Sequence, residues 1–457
     1  MNRGLPVRNI TGEGRAVLIK GIKKRFILTV SYGNYSGGMG GTDKVLLAHQ
    51  KKITEMGCSI FHLCPYPVQK RNGCFLWEIA VDGKAMGAFS TSHVLKLLYE
   101  LSGKGIYASA CYIHHLKGVS LQQLDRILDV LHCNMTMYLH DMQTICPAAG
   151  LAKNGCEFCG MGFPSEEKCK DCKTCNKAVQ QRVDEIKAFF SRHGQLSFIS
   201  PSDAAAAIWK KHYPEYENRL RVIYHQKLIG KYTGNMTRIP DEKPLRAAFV
   251  GYQMDLKGWP QWYEAAGLVH SRGCNIELFQ FGRTDTHCDY IEEVAVDFNK
   301  GLDSMVEKLR EYNIDCAVLW SRLPETYSYT YYESCASNAF VLTSEISGNI
   351  QYQVRNNHNG YIASGDETLG DILTDEKRLR RMINAFRSRG NPGPMELCDN
   401  TDILEEIREY KAQPADITKS RVLPGEYLCE WFCRCRYEWQ LFKYRMKKKH
   451  KADLSGK

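Results

Sequence analysis

The segment Pro324-Glu325-Thr-Tyr-Ser-Tyr-Thr-Tyr-Tyr-Glu333 holds two carboxylates with seven residues between them. Glu325 falls in the loop after the apolar run Ala317-Val-Leu-Trp320, and Glu333 falls in the first turns of the helix expected next. A loop carboxylate can face a cleft while one further along the helix reaches another part of the same extended ligand. Carboxylates are good acceptors for paired sugar hydroxyls. Alone, such a pair is more often a solvated helix face. Lys257-Gly258 offers a cation beside a flexible backbone position, or else only an exposed charge. Gly37-Gly38-Met39-Gly40-Gly41-Thr42 strips side chains from a stretch of backbone. That lets it approach a ligand without a Cβ in the way, or merely turn. His140-Asp141 ends another expected strand, while His114 and His115 should point to opposite faces of theirs and neither is assigned as a ligand.

These residues need elements to hold them. Phe26-Ile-Leu-Thr-Val30 is a continuous apolar run of the kind found in buried parallel strands. After the glycine loop, Val45, Leu46, His49, Ile53 and Met56 fall at helical spacing, with Thr42 as the expected N-cap and Gly57 at the C′ position. Ser59 to Leu63 reads as the next strand. The rhythm restarts near residue 245 after Thr237–Pro244, which reads as a linker. Strands are expected over 247–250, 275–281, 316–320 and 339–343, with helices over 259–271 and 303–312. The expected fold class is α/β, with two facing Rossmann-like domains and parallel sheets. Ligands in such sheets sit at the carboxyl ends of the strands, so the cleft is the expected site.

The order of motifs is similar to that of retaining GT-B-fold glycosyltransferases, family 4-like. The residues that carry it are Val250-Gly251, Lys257-Gly258, Pro324-Glu325, Glu333, Ser347-Gly348 and Asn359-Gly360, preceded by the glycine loop, His140-Asp141 and Ser200-Pro201-Ser202. The resemblance covers roughly residues 25 to 370. It implies that Glu333 accepts hydrogen bonds from the nucleotide ribose and that Glu325 holds a donor-sugar hydroxyl near the reacting carbon. Backbone N–H groups around Tyr327, Ser328 and Tyr329 would cradle the diphosphate at a helix N-terminus, and Lys257 would neutralise its charge as it leaves. Gly38, Gly40 and Gly41 would approach the same phosphates, and His140 would sit over the sugar. The family mechanism has no defined enzyme nucleophile and requires no catalytic metal. Where the family has Val-Gly-Arg, this chain has Val250-Gly251-Tyr252, and Arg283 is the candidate substitute; Tyr327-Ser328 stands for Phe-Gly.

The resemblance also implies domains over 1–240, carrying a cysteine-rich insertion at about 146–176, and 241–415, the nucleotide-sugar side, with a returning helix and basic tail over 416–457. In the insertion, Cys156-x-x-Cys159 and Cys172-x-x-Cys175 have the spacing of a structural zinc site, with Cys169 as an alternative ligand and Cys146 to spare. Buried free thiols and an iron–sulfur or redox role are the other readings. The segment Gly425–Lys451 mixes aromatics with a basic end and reads as a helix that packs back on the N-terminal domain; its lysines suit solvent or anionic lipid.

Composition bounds the rest. The chain has 457 residues, 44% hydrophobic and 25% charged, which fits two globular domains and excludes long-range disorder. Lys+Arg less Asp+Glu is 61 − 51 = +10, and 19 cysteines without a secretory h-region in Met1–Gly33 point to a reducing compartment. The expected function is transfer of a sugar from a nucleotide-diphosphate donor to a glycan or lipid-linked hydroxyl acceptor in cell-surface polysaccharide or glycolipid synthesis. The expected place is cytoplasmic, peripheral on the inner membrane face, with no nucleic-acid partner. The alternatives are a non-catalytic homologue that senses sugar nucleotides or serves as a partner subunit, and a zinc-dependent nucleic-acid-binding protein.

Overall fold

The computed structural model describes residues 21–38, 40–66, 75–155, 157–160, 163–165, 167–173, 178–229, 237–297, 304–389, 396–409, 413–432 and 435. The chain forms two compact units. One comprises Met1–Tyr138, Glu185–Ser197 and Thr401–Lys457, the other Leu139–Asp184 and Phe198–Asn400. The last helix therefore returns to the unit in which the chain began.

In the first unit, β1 (Arg25–Val30) runs through the glycine loop into α1 (Gly41–Glu55) and then β2 (Ser59–Pro65). β3 (Leu76–Val81), β4 (Lys84–Ser90), α2 (Thr91–Gly103), β5 (Tyr107–Ile113), α3 (Leu121–Leu128) and β6 (Asn134–Tyr138) follow. The strand order is β6-β5-β1-β2-β3-β4. Pairing is parallel from β6 to β2 and antiparallel across β2–β3 and β3–β4. The β3–β4 hairpin turns on Asp82-Gly83, both at positive φ (47° and 79°), the dipeptide that a tight two-residue turn favours. The hairpin interrupts the βα rhythm expected from the sequence.

α1 begins one residue before the expected Thr42, with Gly40 as its N-cap. Its inner face carries Val45, Leu46, His49 and Ile53, all buried. His49 packs against Tyr112, His114 and Tyr138. His62 on β2 is fully buried; Thr29 Oγ1 lies 2.8 Å from its Nδ1 and the Gly33 carbonyl 3.0 Å from its Nε2. A carbonyl only accepts, so Nε2 carries the proton and Nδ1 accepts from the threonine hydroxyl. The neutral ring thus ties the exit of β1 to β2.

The second unit contains a parallel sheet of β7 (Leu245–Val250), β8 (Ile276–Phe281), β9 (Glu292–Val294), β10 (Cys316–Leu319), β11 (Phe340–Ser344) and β12 (Gly360–Ala363). Its order is β9-β8-β7-β10-β11-β12. Successive side chains of β7 enter separate cores. Ala247 and Phe249 join Trp259, Trp262 and Ile383, while Ala248 and Val250 join Phe281, Tyr331 and Val341. Both faces are buried, and that is why the strands read as unbroken apolar runs. Thr237–Pro244 is no free linker. Ile239 exchanges hydrogen bonds with Asn384 (2.8 and 3.1 Å), and Arg380 donates to the Pro240 carbonyl at 2.7 Å.

Burial pushes both His49 and His62 down to about 4 from an ordinary value near 6.5. With the folded value below the unfolded one, the stability is full above pH 6.5 and is lost as pH falls toward 4. Replacing His49 with Phe should flatten this acid limb by about 1 kcal/mol per pH unit. Urea unfolding of parent and variant across pH 7 to 5 measures it; parallel stability curves would refute the assignment.

Candidate active site at the switch point of the second sheet

β7 leads outward to β8 on one side, and the chain then crosses to β10 on the other, so the sheet reverses its winding between β7 and β10. The carboxyl ends of these two strands border the crevice where open α/β sheets bind ligands. Lys257 lies in the single turn after β7, and Ser321 and Glu325 lie in the loop after β10. Lys257 Nζ stands 2.6 Å from Glu325 Oε1, with the lysine half exposed and the carboxylate 11% exposed. Ser321 Oγ sits 3.1 Å from the same Glu325 oxygen. The sequence placed Lys257 and Glu325 in one site; it gave no reason to add Ser321.

Backbone fit, more than side-chain contact, sets this geometry. Gly258 caps α5 (Trp259–Ser271) in the left-handed region (φ 84°), and a Cβ there would fall 2.1 Å from the Trp320 carbonyl oxygen. The turn that carries Lys257 thus lies directly against the end of β10. Gly348 (φ 62°) precedes α7 (Asn349–Asn357), and a Cβ on it would come within 2.6 Å of Glu325 N and 2.7 Å of Glu325 O. Glu325 and Gly348 form a parallel bridge; Glu325 N donates to Ser347 O at 3.3 Å and Asn349 N to Glu325 O at 2.9 Å. The Glu325 backbone is held on both its polar groups.

Beyond Glu325 the chain enters α6 (Tyr329–Ala336), whose N-cap Ser328 makes no side-chain cap bond and whose first turn carries no acidic residue. The positive end of its dipole therefore has no carboxylate from its own first turn. Ser328 Oγ pairs instead with Thr330 Oγ1 at 2.9 Å. Tyr327 stacks on Tyr332 (4.7 Å between centroids, 9° between planes) and packs against His225 and Tyr329. Burial pushes the hydroxyls of Tyr327 and Tyr329 well up, with Glu333 adding to both. Glu333 itself is 2% exposed, so it lies inside this aromatic cluster and not on a solvated helix face. His140 joins the same neighbourhood. Thr326 Oγ1 donates to the His140 carbonyl at 2.6 Å, and the His140 ring lies 3.4 Å, nitrogen to nitrogen, from His225. Ser202, the N-cap of α4 (Asp203–His212), donates to the Thr326 carbonyl at 2.7 Å. Thr326 and His225 were not read from the sequence, and nothing around Tyr224-His225 marks them.

Arg283 is exposed and pairs with Asp285 at 3.1 Å, and Tyr252 is partly exposed. In the first unit, Gly38 and Gly40 do make close backbone approach, to a residue of the chain, and Gly41 opens α1. Gly40 N donates to Asp43 Oδ2 at 3.1 Å, and a Cβ on Gly38 would fall 1.9 Å from the same oxygen. Asp43 is buried, and burial raises its pKa against the opposing pull of the Gly40 amide and the Tyr32 hydroxyl.

Of the cysteine cluster, Cys156 and Cys175 lie outside the described residues. Cys159, Cys169 and Cys172 line one small cavity with Cys146. Burial raises the Cys159 thiol and Lys168 lowers it. Among the described residues no three Cys, His, Asp or Glu side chains are already gathered around a metal position.

No protein-family model matches the chain, and no curated protein does. Solved structures do. Anabaena HepE in complex with UDP-glucose is 12% identical over 84% of this chain and 98% of its own, with a TM-score of 0.48. Sucrose-phosphate synthase from Thermosynechococcus elongatus is 12% identical over 84% of this chain and 96% of its own, at 0.47. WaaG, a glycosyltransferase involved in lipopolysaccharide biosynthesis, is 12% identical over 80% and 94%, at 0.46. At these identities and TM-scores the likeness carries no argument, and the ligands of those proteins stay with them; the α/β class with parallel sheets is read from the strand pairing itself.

A Gly348→Ala variant should lose at least about 2 kcal/mol of stability, since it combines a strained φ with backbone overlap at Glu325. Thermal unfolding reads this directly. An unchanged melting temperature would mean that the Glu325 loop is not set by this contact.

Proposed function

We propose that the protein is a retaining glycosyltransferase that uses a nucleoside-diphosphate sugar. The Lys257–Glu325 contact at the switch point is the observation that carries the reading. An ammonium has three donors, so Lys257 can keep one on Glu325 and turn another to a departing phosphate. The N-terminus of α6 adds partial positive charge to the same anion. Glu325, its backbone fixed by Gly348 and Asn349, holds a sugar hydroxyl beside the reacting carbon. Glu333 takes the ribose hydroxyls, and His140 lies over the sugar.

In the transfer, the bond from the anomeric carbon to the diphosphate oxygen breaks first and Lys257 stabilises the charge that develops there. The acceptor oxygen bonds to the same face of that carbon, and its proton passes to the leaving phosphate oxygen. Atoms and charge balance without an enzyme nucleophile or a metal. The acceptor class we assign is a glycan or lipid-linked hydroxyl in surface polysaccharide or glycolipid assembly, with the enzyme peripheral on the inner membrane face. A non-catalytic sensor is the second reading, favoured by the Arg283–Asp285 pair and by the Asp43 carboxylate beneath the glycine loop.

A panel of nucleotide sugars screened by thermal shift should yield a stabilising donor, and that donor should be hydrolysed or transferred. Glu325→Gln should lower turnover by about 100-fold or more. Lys257→Ala should weaken donor binding by about 10- to 100-fold, the worth of a charge-assisted hydrogen bond. Full turnover in Glu325→Gln sinks the catalytic role; donor binding without any turnover in the parent favours the sensor.

We also propose that the cysteine loop takes a structural zinc ion, supported by the cavity that Cys159, Cys169 and Cys172 line with Cys146 and by the spacing of the pairs. Metal analysis of the purified chain should find about one zinc per molecule, and Cys169→Ser/Cys172→Ser should remove it. A metal-free parent purified without chelator refutes the site.

A further inference from the structure

Five cations line one cavity of about 670 Å³ on the second unit: Arg238, Lys377, Arg380, Arg381 and Arg387. Against them stand two carboxylates, Asp241 and Glu376. One wall is α8 (Glu376–Ser388), and Arg238 and Asp241 come from the 237–244 segment bonded along it. Leu379, Ile383 and Phe386 turn one side of α8 into the core. Lys377, Arg381, Asn384 and Ser388 recur at helical spacing on the side that lines the cavity.

The cations are of two kinds. Arg380 is 5% exposed and Arg387 is mostly buried, and bonds within the second unit fix both. Arg380 donates to Pro240 O and to Glu376 Oε1, each at 2.7 Å. Arg387 donates to Thr237 O at 3.1 Å and pairs with Asp315. A guanidinium has five N–H donors, so these bonds leave donors over on each. Arg238, Lys377 and Arg381 are exposed. Among the described residues, neither the Lys377 nor the Arg381 side chain has a hydrogen-bond or ion-pair partner. Glu376 is already engaged, by Arg380 on one oxygen and by Asn275 N at 3.0 Å on the other. Asp241 stands 3.9 Å from Arg238, and both are mostly exposed.

Asp315 locates the cavity on the sheet. Its carboxylate accepts from Arg246 N and its own N–H donates to Arg246 O, both at 2.9 Å, where β7 and β10 begin. Lys257 and Glu325 follow the opposite ends of those strands, about 20 Å away along β7. A ligand in the cavity is therefore separate from one at the switch point. We infer that the cavity binds a small anion carrying two or more phosphates. Its volume is that of a small-molecule pocket. Fixed arginine forks match phosphate oxygens, and a cleft lined by one sign of charge draws in the other. The cations run from Lys377 to Arg387, about 15 Å along the helix, which is further than one phosphate reaches. None of this rests on the proposed sugar transfer.

The test is calorimetric titration of the full chain carrying Lys257→Ala, which removes the switch-point cation. The probes are orthophosphate, pyrophosphate, tripolyphosphate and ADP at low salt. Pyrophosphate and tripolyphosphate should bind about tenfold or more tighter than orthophosphate. Adding Lys377→Ala/Arg381→Ala should weaken them by about tenfold or more, the effect of losing charge-assisted hydrogen bonds. The melting temperature should hold, because both side chains are exposed. Arg238→Ala serves if that variant melts early, with a smaller loss expected. Binding of ADP in either rank against pyrophosphate supports the site and tells whether a nucleoside comes with the phosphates. Unchanged affinity in the charge variants overturns the inference, as does a chain that binds none of these anions. Orthophosphate binding as tight as pyrophosphate overturns the multi-phosphate assignment. Loss of this site leaves the effect of Lys257→Ala on donor binding as it was, so the two readings fail separately.

Discussion

The second unit depends on how closely Gly348 lies against Glu325. No other residue type fits there, because φ is positive and the space for a Cβ is already held by the Glu325 amide and carbonyl. The approach lets the loop after β10 behave as a short parallel strand, bridged on one side to Gly348 and closed by the Asn349 amide. Gly258 does the same service for the opposite wall, laying the Lys257 turn against the Trp320 carbonyl. Two glycines thus bring a lysine and a glutamate from separate loops to 2.6 Å. The ion pair is the consequence of that backbone arrangement. A half-exposed pair contributes little stability on its own.

The same economy explains why the loops can be short. The sheet is buried on both faces, so the strands need no polar side and are set by apolar packing alone. Side-chain hydrogen bonding is then concentrated where the strands end. Ser321 serves both as a loop brace, through Leu323 O at 3.0 Å, and as a contact to Glu325. Thr326 ties the loop to the His140 carbonyl, and Ser202 ties Thr326 to the start of α4. His140 is therefore positioned through its backbone, by a residue next to Glu325.

What could be read in the sequence follows from these causes. The β7 and β10 strands and the helix after Gly258 were legible, because apolar runs and glycine positions are local signals; the contact of Lys257 with Glu325 was not, since the resemblance gave the two residues separate roles on one ligand. The Asp82-Gly83 hairpin is equally local, carried by a dipeptide that favours a tight turn, and lies outside the parallel βα pattern. Burial of Glu333 was not legible. Spacing gives only its helix face, while its burial beside Tyr327 and Tyr329, which His225 packs against, is set by the tertiary fold. Thr42 looked like the helix cap by type, but Asp43 holds the Gly40 amide, which shifts the N-cap back to Gly40. Thr237–Pro244 looked like a linker by composition; its contacts with Asn384 and Arg380 are invisible without the fold.

Two of the places where the resemblance implied an anion site, Lys257 and the glycine loop, already hold a carboxylate of the chain, and they differ in what a ligand must do. At Lys257 the carboxylate engages one of three donors on a half-exposed ammonium, so an arriving phosphate can share the cation with Glu325 in place. At the α1 N-terminus, Asp43 is buried and takes the Gly40 amide, and its pKa is raised by the loss of solvent around it. A phosphate brought beside it would meet like charge in a poorly hydrated site. It would bind there only with Asp43 protonated or swung out, and a protonated Asp43 would itself become a donor to the ligand. The glycines at 38 and 40 leave room for that carboxylate first. Any phosphate contact in the first unit is therefore coupled to the state of Asp43, whereas contact at Lys257 is not.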